Sequence, residues 1–437
     1  MHNANPHLEI MHHQEVKNMP DFLLKTFFEK QRWINAIETG INKEIDIGLL
    51  RDMSSPQTRL NIYNQIKNGT YTIRPPHEAQ IPKDDGSMRT VYVNESIDRI
   101  LLSIYNDMIF DLCPEMIHPN CVSYQKGIGC GKIVQAASKQ ICNMTNDVIG
   151  VKIDLSKYFD SVPIKYIDAI FAKIDKKFGE SAITNIVKKY YHDDTVIDMN
   201  KNLITKYSSL RQGCAFAAFL ADAVLFDIDD ELSKQNVMYV RYSDDILVVG
   251  ENWENAYKIL QQRLQEKQLT LNPKKVETLY KHKWFKFLGF TIQNDKISIS
   301  KNRIKTFQHE IEKRTIKQKT NQIDDILKSV NHYLYKGDGT YSWATSVLPI
   351  INIEKDITTL NTFVMDAIRA ACTGKTRIGG LGVETNLTTQ TIIRGKGKNV
   401  KANREKIKNI PNYRTIRCMR NAMLASKEAY RTLIATM

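Results

Sequence analysis

Apolar residues along positions 8 to 68 recur at helical spacing, and Phe22, Leu23, Phe27, Phe28, Trp33 and Ile37 form a stripe that reads as core. Ser54-Ser55-Pro56 then predicts the start of a further helix carrying Leu60, Ile62, Tyr63 and Ile66. The character changes from Tyr71. Ile81 to Val93 reads as a strand, an Asp-Gly turn and a second strand. Asp98 to Phe110 reads as a helix, apolar at Ile100, Leu101, Ile104, Met108 and Ile109. The apolar run from Val148 predicts a buried strand that ends at Asp154, and residues 164 to 206 read as largely helical with a polar loop at His192-Asp193-Asp194. A helix lined with small residues is expected after Gln212-Gly213, reaching Asp222. Two β-prone runs, Val237 to Tyr242 and Ile246 to Gly250, flank Ser243-Asp244-Asp245 and predict a tight hairpin. Ala256 to Lys267 follows as a helix, Leu269 to Glu277 ends in a strand, and Trp284 to Ile292 is hairpin-like, with Gly289 marking a bend. From about 322 the chain reads as mostly helical, interrupted at Gly374 to Gly382 and at Arg394 to Lys398.

Composition narrows the partner. A length of 437 residues suggests about two to four domains or subdomains, and 42% hydrophobic residues support a buried core. A formal charge of +14 points to a polyanion, most often nucleic acid. The longest apolar run, Ala215 to Phe226, is broken by Asp222 and is too short to span a bilayer. Met1 to Pro6 carries no apolar signal core, so a cytoplasmic protein without a membrane partner is expected. The 7 cysteines show no CxxC spacing, which favours reduced thiols over a zinc site.

Several residues carry candidate chemistry. Adjacent Asp244 and Asp245 at a hairpin tip repel each other, and a divalent cation with a preference for hard oxygen ligands removes the conflict. Asp154 at a strand end meets the same argument, because burial alone would raise its pKa and a metal reverses that tendency. Phe159 is close enough in sequence to flank that site, while Asp160 is expected to cap the helix starting near Pro163. Lys83 and Arg89, on facing arms of a hairpin, would suit an anion such as a triphosphate; ordinary solvated charges are the competing reading. The glycine-rich stretch Ser123 to Lys132 matches neither the P-loop nor the dinucleotide fingerprint. Lys301, Arg303 and Lys305 begin a basic helix suited to a duplex backbone, and Arg394, Lys396 and Lys398 sit in a loop that reads either as a nucleic-acid contact or as a solvated linker.

In order along the chain, these segments resemble the reverse transcriptase family over residues 71 to 320. IPKDDGSMR and VSYQKGIG resemble the two fingers blocks, VKIDLSKYFDSV and LRQGCAFAAFLAD the first two palm motifs, RYSDD the YxDD motif, LTLNPKKVE the fourth, and FKFLGF the grip before the thumb. The resemblance implies an α+β right-hand polymerase with an antiparallel palm sheet. A helical N-terminal extension (1–70) would precede fingers (71–147), palm (148–163), a connection (164–206), further palm (207–297), helical thumb (298–370) and a basic helical C-terminal region (371–437). It implies RNA-directed DNA synthesis from deoxynucleoside triphosphates, with two Mg²⁺ (or Mn²⁺) roughly 3.5–4 Å apart held by Asp154, Asp244, Asp245 and the carbonyl of Leu155. Lys83 and Arg89 would clamp the triphosphate, Phe159 would exclude a ribose hydroxyl, Gln212 and Gly213 would back the template base and incoming nucleotide, and Lys275 (or Lys274) would protonate pyrophosphate.

This sequence departs from relatives in group II introns and retrons. Arg211 stands where Pro is usual before Gln-Gly, Cys214-Ala215-Phe216 replaces Ser-Pro, and Ser243 replaces Ala or Val. The long helical C-terminal part looks more like bacterial defence-associated enzymes, which implies a noncoding RNA template, a nascent cDNA and an antiphage role. Template-independent or protein-primed synthesis, and a non-catalytic RNA-binding scaffold, are the alternatives.

Overall fold

Capping chemistry sets the first helices of the computed structural model, which describes residues 21–42, 45–83, 86–125, 129–318, 322–336, 342–373 and 416–435. Ser55 Oγ accepts from the Thr58 N–H at 3.1 Å with Pro56 in the first turn, starting the helix Pro56–Lys67 as its sequence predicts. Asp21 caps Phe22–Phe27 by accepting from Leu24 N–H at 3.0 Å. The same carboxylate accepts from Ser181 Oγ at 2.5 Å and Ala182 N–H at 2.8 Å, joining that helix to the start of Ala182–His192.

The described strands are β1 (His77–Pro82), β2 (Met88–Val93), β3 (Val148–Asp154), β4 (Thr195–Ile197), β5 (Leu203–Thr205), β6 (Met238–Tyr242), β7 (Asp245–Val249), β8 (Glu277–Tyr280), β9 (Phe285–Phe287), β10 (Phe290–Gln293) and β11 (Lys296–Ile299). They form three sheets, ordered β2-β1-β4-β5, β6-β7-β3-β8 and β11-β10-β9. With the helices between them, the chain is α+β, as expected. One expectation needs correction: residues 164 to 206 are not helical to their end. The polar loop gives way to a β4–β5 hairpin whose turn is built by Asp198, the Oδ1 of which accepts from Asn200 N–H and Asn202 N–H at 2.8 Å each. β4 then adds to β1 in parallel through His77↔Ile197.

Two compact units divide the chain, one of Met1–Lys126 with Gly150–Thr278 and the other of Gly127–Ile149 with Leu279–Met437. In the first, the helix Ser96–Leu112 packs on Ala217–Ala223, with Tyr105 on Phe216 (4.8 Å between centroids) and Phe110 on Phe219 (5.1 Å). The buried alanines 217, 221 and 223 make this close approach possible. Val151, Ile153, Ile246 and Val248 of β3 and β7 complete the same core.

In the second unit, β9 and β10 are joined by Leu288 and Gly289, both at positive φ (48° and 79°), the two-residue turn that glycine eases. The helix Cys130–Cys142 belongs here, its Ser138 Oγ donating to the Asn294 carbonyl at 2.7 Å. Lys301–Arg314 is capped by Ser300 and buries Phe307, which meets Trp343 at 4.4 Å. Glu354–Thr373 and Ile416–Ala425 follow, tied by Arg417 to Glu354 at 2.6 Å. Among the described residues no helix is long and apolar enough to cross a membrane, and Cys113, Cys121, Cys130, Cys142, Cys214 and Cys418 are free thiols.

Candidate active site

The register of the second sheet decides which carboxylates meet. β3 runs antiparallel to β7 with Asp154 opposite Asp245, and β6 pairs with β7 so that Tyr242 also faces Asp245. Only Ser243 and Asp244 connect β6 to β7, so the tip of the hairpin lies at the end of β3 where Asp154 emerges. The Asp244 carbonyl accepts from the Leu155 N–H at 3.2 Å, joining turn to strand end. On the other side, Asn272 N–H donates to the Asp154 carbonyl at 3.0 Å and Ser156 N–H to the Thr270 carbonyl at 2.8 Å. That pairing turns the Leu155 carbonyl, like its N–H, toward the hairpin.

Asn272-Pro273-Lys274-Lys275 has a local role. Asn272 Oδ1 accepts from the Lys274 N–H at 3.2 Å and closes a short turn over Pro273–Lys275. The turn delivers Lys275 Nζ to Asp154 Oδ2 at 2.7 Å. Lys275, not Lys274, is therefore the lysine at the acidic site.

The carboxylates press on one another. Burial first, then Asp244 and Asp154, push the Asp245 carboxyl up to about 6. Burial and then Asp154 raise Asp244, opposed by Lys275 and Arg89. Among the described residues no three His, Cys, Asp or Glu side chains already stand at metal-binding geometry. The donors nevertheless fit a hard divalent cation: they are carboxylate oxygens, partly buried, and destabilised by mutual repulsion that a cation would relieve. Lys275 supplies part of that positive charge to Asp154.

Lys83 and Arg89 are exposed on the β1–β2 hairpin. Arg89 pairs in register with Ile81, and Lys83 closes the turn by donating its N–H to Ser87. Both act on Asp160, which desolvation raises and which Lys206, Lys157, Arg89 and Lys83 pull back. Asp160 does not cap the following helix, contrary to expectation. Ile164–Phe178 begins from Pro163 without a side-chain cap, and Asp160 lies in the short helix Tyr158–Ser161 among these cations. Phe159, half-buried on the same turn, is held by its carbonyl accepting from Leu210 N–H at 3.0 Å and by its ring against Tyr158 at 5.7 Å.

Gln212 and Gly213 are fixed to β2, since the Tyr92 N–H donates to the Gln212 carbonyl at 2.7 Å. Gly213 has φ 109°, and a Cβ there would stand 2.7 Å from the Tyr92 carbonyl oxygen. Gly213→Ala is expected to destabilise the chain by about 1–3 kcal/mol, read as a lower denaturation midpoint. Arg211, 1% exposed, stacks on Tyr190 at 4.1 Å and donates to Ser208 Oγ at 3.0 Å and to the Asp193 carbonyl. It ties this loop to the end of Ala182–His192.

Lys301 and Lys305 are exposed on their helix. Arg303 instead turns onto the Phe290 ring at 4.6 Å and donates to Ser346 Oγ at 3.4 Å. Arg394, Lys396 and Lys398 lie outside the described residues.

Sequence reasoning missed Lys206, which pairs with Glu78 at 2.7 Å beside Asp160. It also missed Ser123, Asp222, Asp229 and Arg241, which form a buried network under the hairpin. Arg241 was legible only as part of RYSDD.

The sequence profile of the family described as reverse transcriptase (RNA-dependent DNA polymerase) matches residues 81–292. Over those residues the chain is similar to reverse transcriptase domains. The matched segment runs from the end of β1 into β10 and contains Lys83, Arg89, Asp154, Phe159, Gln212, Gly213, Asp244, Asp245 and Lys275. Reverse transcriptase domains generally use divalent metal ions, in keeping with the carboxylate donor set. The chain is also similar to one in the structure of telomerase from Candida albicans in complex with a TWJ fragment of telomeric RNA, with a TM-score of 0.44 and 12% identity. The similarity covers 85% of this chain and 60% of that chain, so this chain spans about 60% of its length. No curated protein matches the sequence.

Proposed function

We propose that the chain is an RNA-directed DNA polymerase that adds deoxynucleotides to a 3′-hydroxyl, with Asp154, Asp244 and Asp245 holding two Mg²⁺ ions. The observation that carries this reading is the Asp154↔Asp245 register with Asp244 in the adjoining turn, inside the segment similar to reverse transcriptase domains. When bound, the ions supply Lewis acidity toward the attacking hydroxyl and the leaving pyrophosphate. Asp154, from a different strand, faces the Asp244-Asp245 pair, and the Leu155 carbonyl adds a neutral oxygen on the hairpin side. Lys83 and Arg89 meet the triphosphate with positive charge, Arg89 being the one that also acts on Asp244. Lys275 would give a proton to pyrophosphate, a role supported by its Nζ lying 2.7 Å from Asp154 Oδ2. Gln212 and Gly213 form a backbone wall anchored on β2. Lys301 and Lys305 offer exposed charge to a nucleic-acid backbone.

Phe159 sets the choice of sugar in this reading, since its ring would clash with a 2′-hydroxyl. Phe159→Ala is expected to reduce the preference for deoxyribonucleotides over ribonucleotides by about 10–200-fold. Competition between the two nucleotide pools in primer extension measures it; an unchanged ratio removes Phe159 from that role.

We further infer that the template is an associated noncoding RNA, copied in the bacterial cytoplasm for antiphage defence. The resemblance of the long C-terminal part to defence-associated enzymes supports this, as does the net charge of +14. Sequencing RNA and DNA that co-purify with the chain tests it. One recurrent RNA with complementary DNA is expected, whereas homopolymer DNA or DNA attached to a tyrosine would replace the templated reading.

A further inference from the structure

The hairpin that carries Asp244 and Asp245 contains a backbone conformation that needs outside support. Ser243 has φ 57° as the first residue of the two-residue connection between β6 and β7. Turns with this geometry normally place glycine there, because a Cβ crowds the neighbouring carbonyl in the left-handed region. The support comes from beneath. The Ser243 N–H donates to Ser123 Oγ at 2.9 Å, and the Ser243 carbonyl accepts from an Arg241 terminal nitrogen at 3.2 Å.

Both supporting side chains are 0% exposed. Ser123 Oγ in turn donates to Asp222 Oδ1 at 2.5 Å. Arg241 forks onto Asp229 at 2.7 and 2.5 Å and donates to the carbonyls of Asp222 (2.8 Å) and Ala221 (3.3 Å). Together with the bond to Ser243, this uses all five guanidinium N–H groups. The segment bearing Ser123 is fixed alongside β6, with Arg241 N–H donating to the Asn120 carbonyl and Val122 N–H to the Arg241 carbonyl, each at 2.9 Å. A hydroxyl suits position 123 because it can accept from a backbone N–H and donate to a carboxylate at once. An alanine would leave the buried Ser243 N–H without its partner and take from Asp222 Oδ1 its short hydrogen bond.

We infer that Ser123 is a positioning residue for the acidic turn: its hydroxyl transmits the order of the buried Arg241–Asp229–Asp222 cluster to the Ser243 N–H and so fixes where Asp244 and Asp245 present their carboxylates. The inference rests on the proposed reading that those carboxylates hold the catalytic cations. Without the Ser123 bond, Ser243 relaxes from its left-handed conformation and the following carboxylates lose their common direction. Glycine at 243 would adopt φ 57° unaided.

The test uses the full chain and two readouts, Mn²⁺ affinity from the paramagnetic signal of free Mn²⁺, and kcat and KM for a deoxynucleotide on a primed RNA template. Ser123→Ala is expected to weaken Mn²⁺ binding and lower kcat by about tenfold each, with KM nearly unchanged. Ser123→Ala with Ser243→Gly is expected to recover most of both. A void without a positioning role would leave the double variant as impaired as the single one, and that result overturns the inference. Mn²⁺ affinity at the wild-type level in Ser123→Ala also overturns it. Should Ser123→Ala fail to fold, Ser123→Cys, with a weaker donor and acceptor of similar shape, is expected to bind Mn²⁺ with intermediate affinity; wild-type affinity there counts against the inference equally. Incorporation that survives Asp244→Asn overturns the functional reading instead, whereas failure of this inference leaves that sensitivity intact.

Discussion

Replacing Asp244 and Asp245 together by asparagine is expected to lower deoxynucleotide incorporation by at least about 10³-fold while the chain stays folded. Stabilising transition-state charge through a bound cation is worth several kcal/mol, and about 4 kcal/mol corresponds to that factor in rate. Asparagine keeps the shape of each side chain but removes the charge that holds the cation. Stability should move the other way. Asp245 has a folded-state carboxyl raised to about 6 by burial and by Asp244 and Asp154. Without metal at pH 7, its ionised form therefore opposes folding, and this penalty fades as pH falls through 6 toward the unfolded carboxylate range. In EDTA at pH 7, Asp245→Asn should gain on the order of 1 kcal/mol. A variant that is inactive yet harder to melt separates a metal site from a structural one. Inactivity accompanied by lower stability would mean that the pair mainly supports the fold.

The second large effect concerns Asp229. It and Arg241 are both 0% exposed, and their fork of hydrogen bonds leaves no water contact. Asp229→Ala leaves the buried guanidinium with only the Asp222 carboxylate, at 3.8 Å, and breaking such a buried pair costs about 3–5 kcal/mol. The exposed Lys234–Asp230 pair at 2.6 Å makes a fair control, since Asp230→Ala should shift stability by no more than about 0.5 kcal/mol. The two compact units need not unfold together, so denaturation should be followed by probes in each. The loss from Asp229→Ala belongs to the unit of Met1–Lys126 and Gly150–Thr278. Equal, small effects at the two aspartates would show that Arg241 finds other compensation.

How much of this was legible beforehand depended on the range of the interaction. The hairpin around Ser243 was readable because alternating β-prone residues and a short polar turn are adjacent in sequence. Ser55-Pro56 was readable because a cap acts within one turn. The β4 and β5 strands were not, since three residues apiece carry little periodicity and β4 is placed by β1, far away in the chain. Asp160 reads as a cap by its distance from Pro163, but the backbone between them does not continue one helix, and the carboxylate feels Lys157 of its own turn and cations from two other segments, the β1–β2 hairpin and Lys206. Arg303 looked like one of several surface cations until the fold set the Phe290 ring beneath it. Asp222 reads only as the break in an apolar run and Asp229 carries no signal in the sequence; only the folded sheet brings Arg241 between them.

The candidate site divides in the same way. Motif order proposes Asp154, Asp244 and Asp245, whereas the pairing of Asp154 with Asp245 across β3 and β7 needed coordinates. Lys274 and Lys275 were indistinguishable in sequence, and the Asn272 cap decides between them. The support beneath the turn was invisible because Ser123 sits in a glycine-rich segment whose apparent interest was phosphate binding.

The most direct measurement is extension of a DNA primer annealed to a defined RNA by the purified chain, with product sequenced after reaction in Mg²⁺ or in EDTA. The account requires DNA complementary to the RNA, formed with Mg²⁺ and absent in EDTA. Product that ignores the template, or synthesis that persists without a divalent cation, would contradict it.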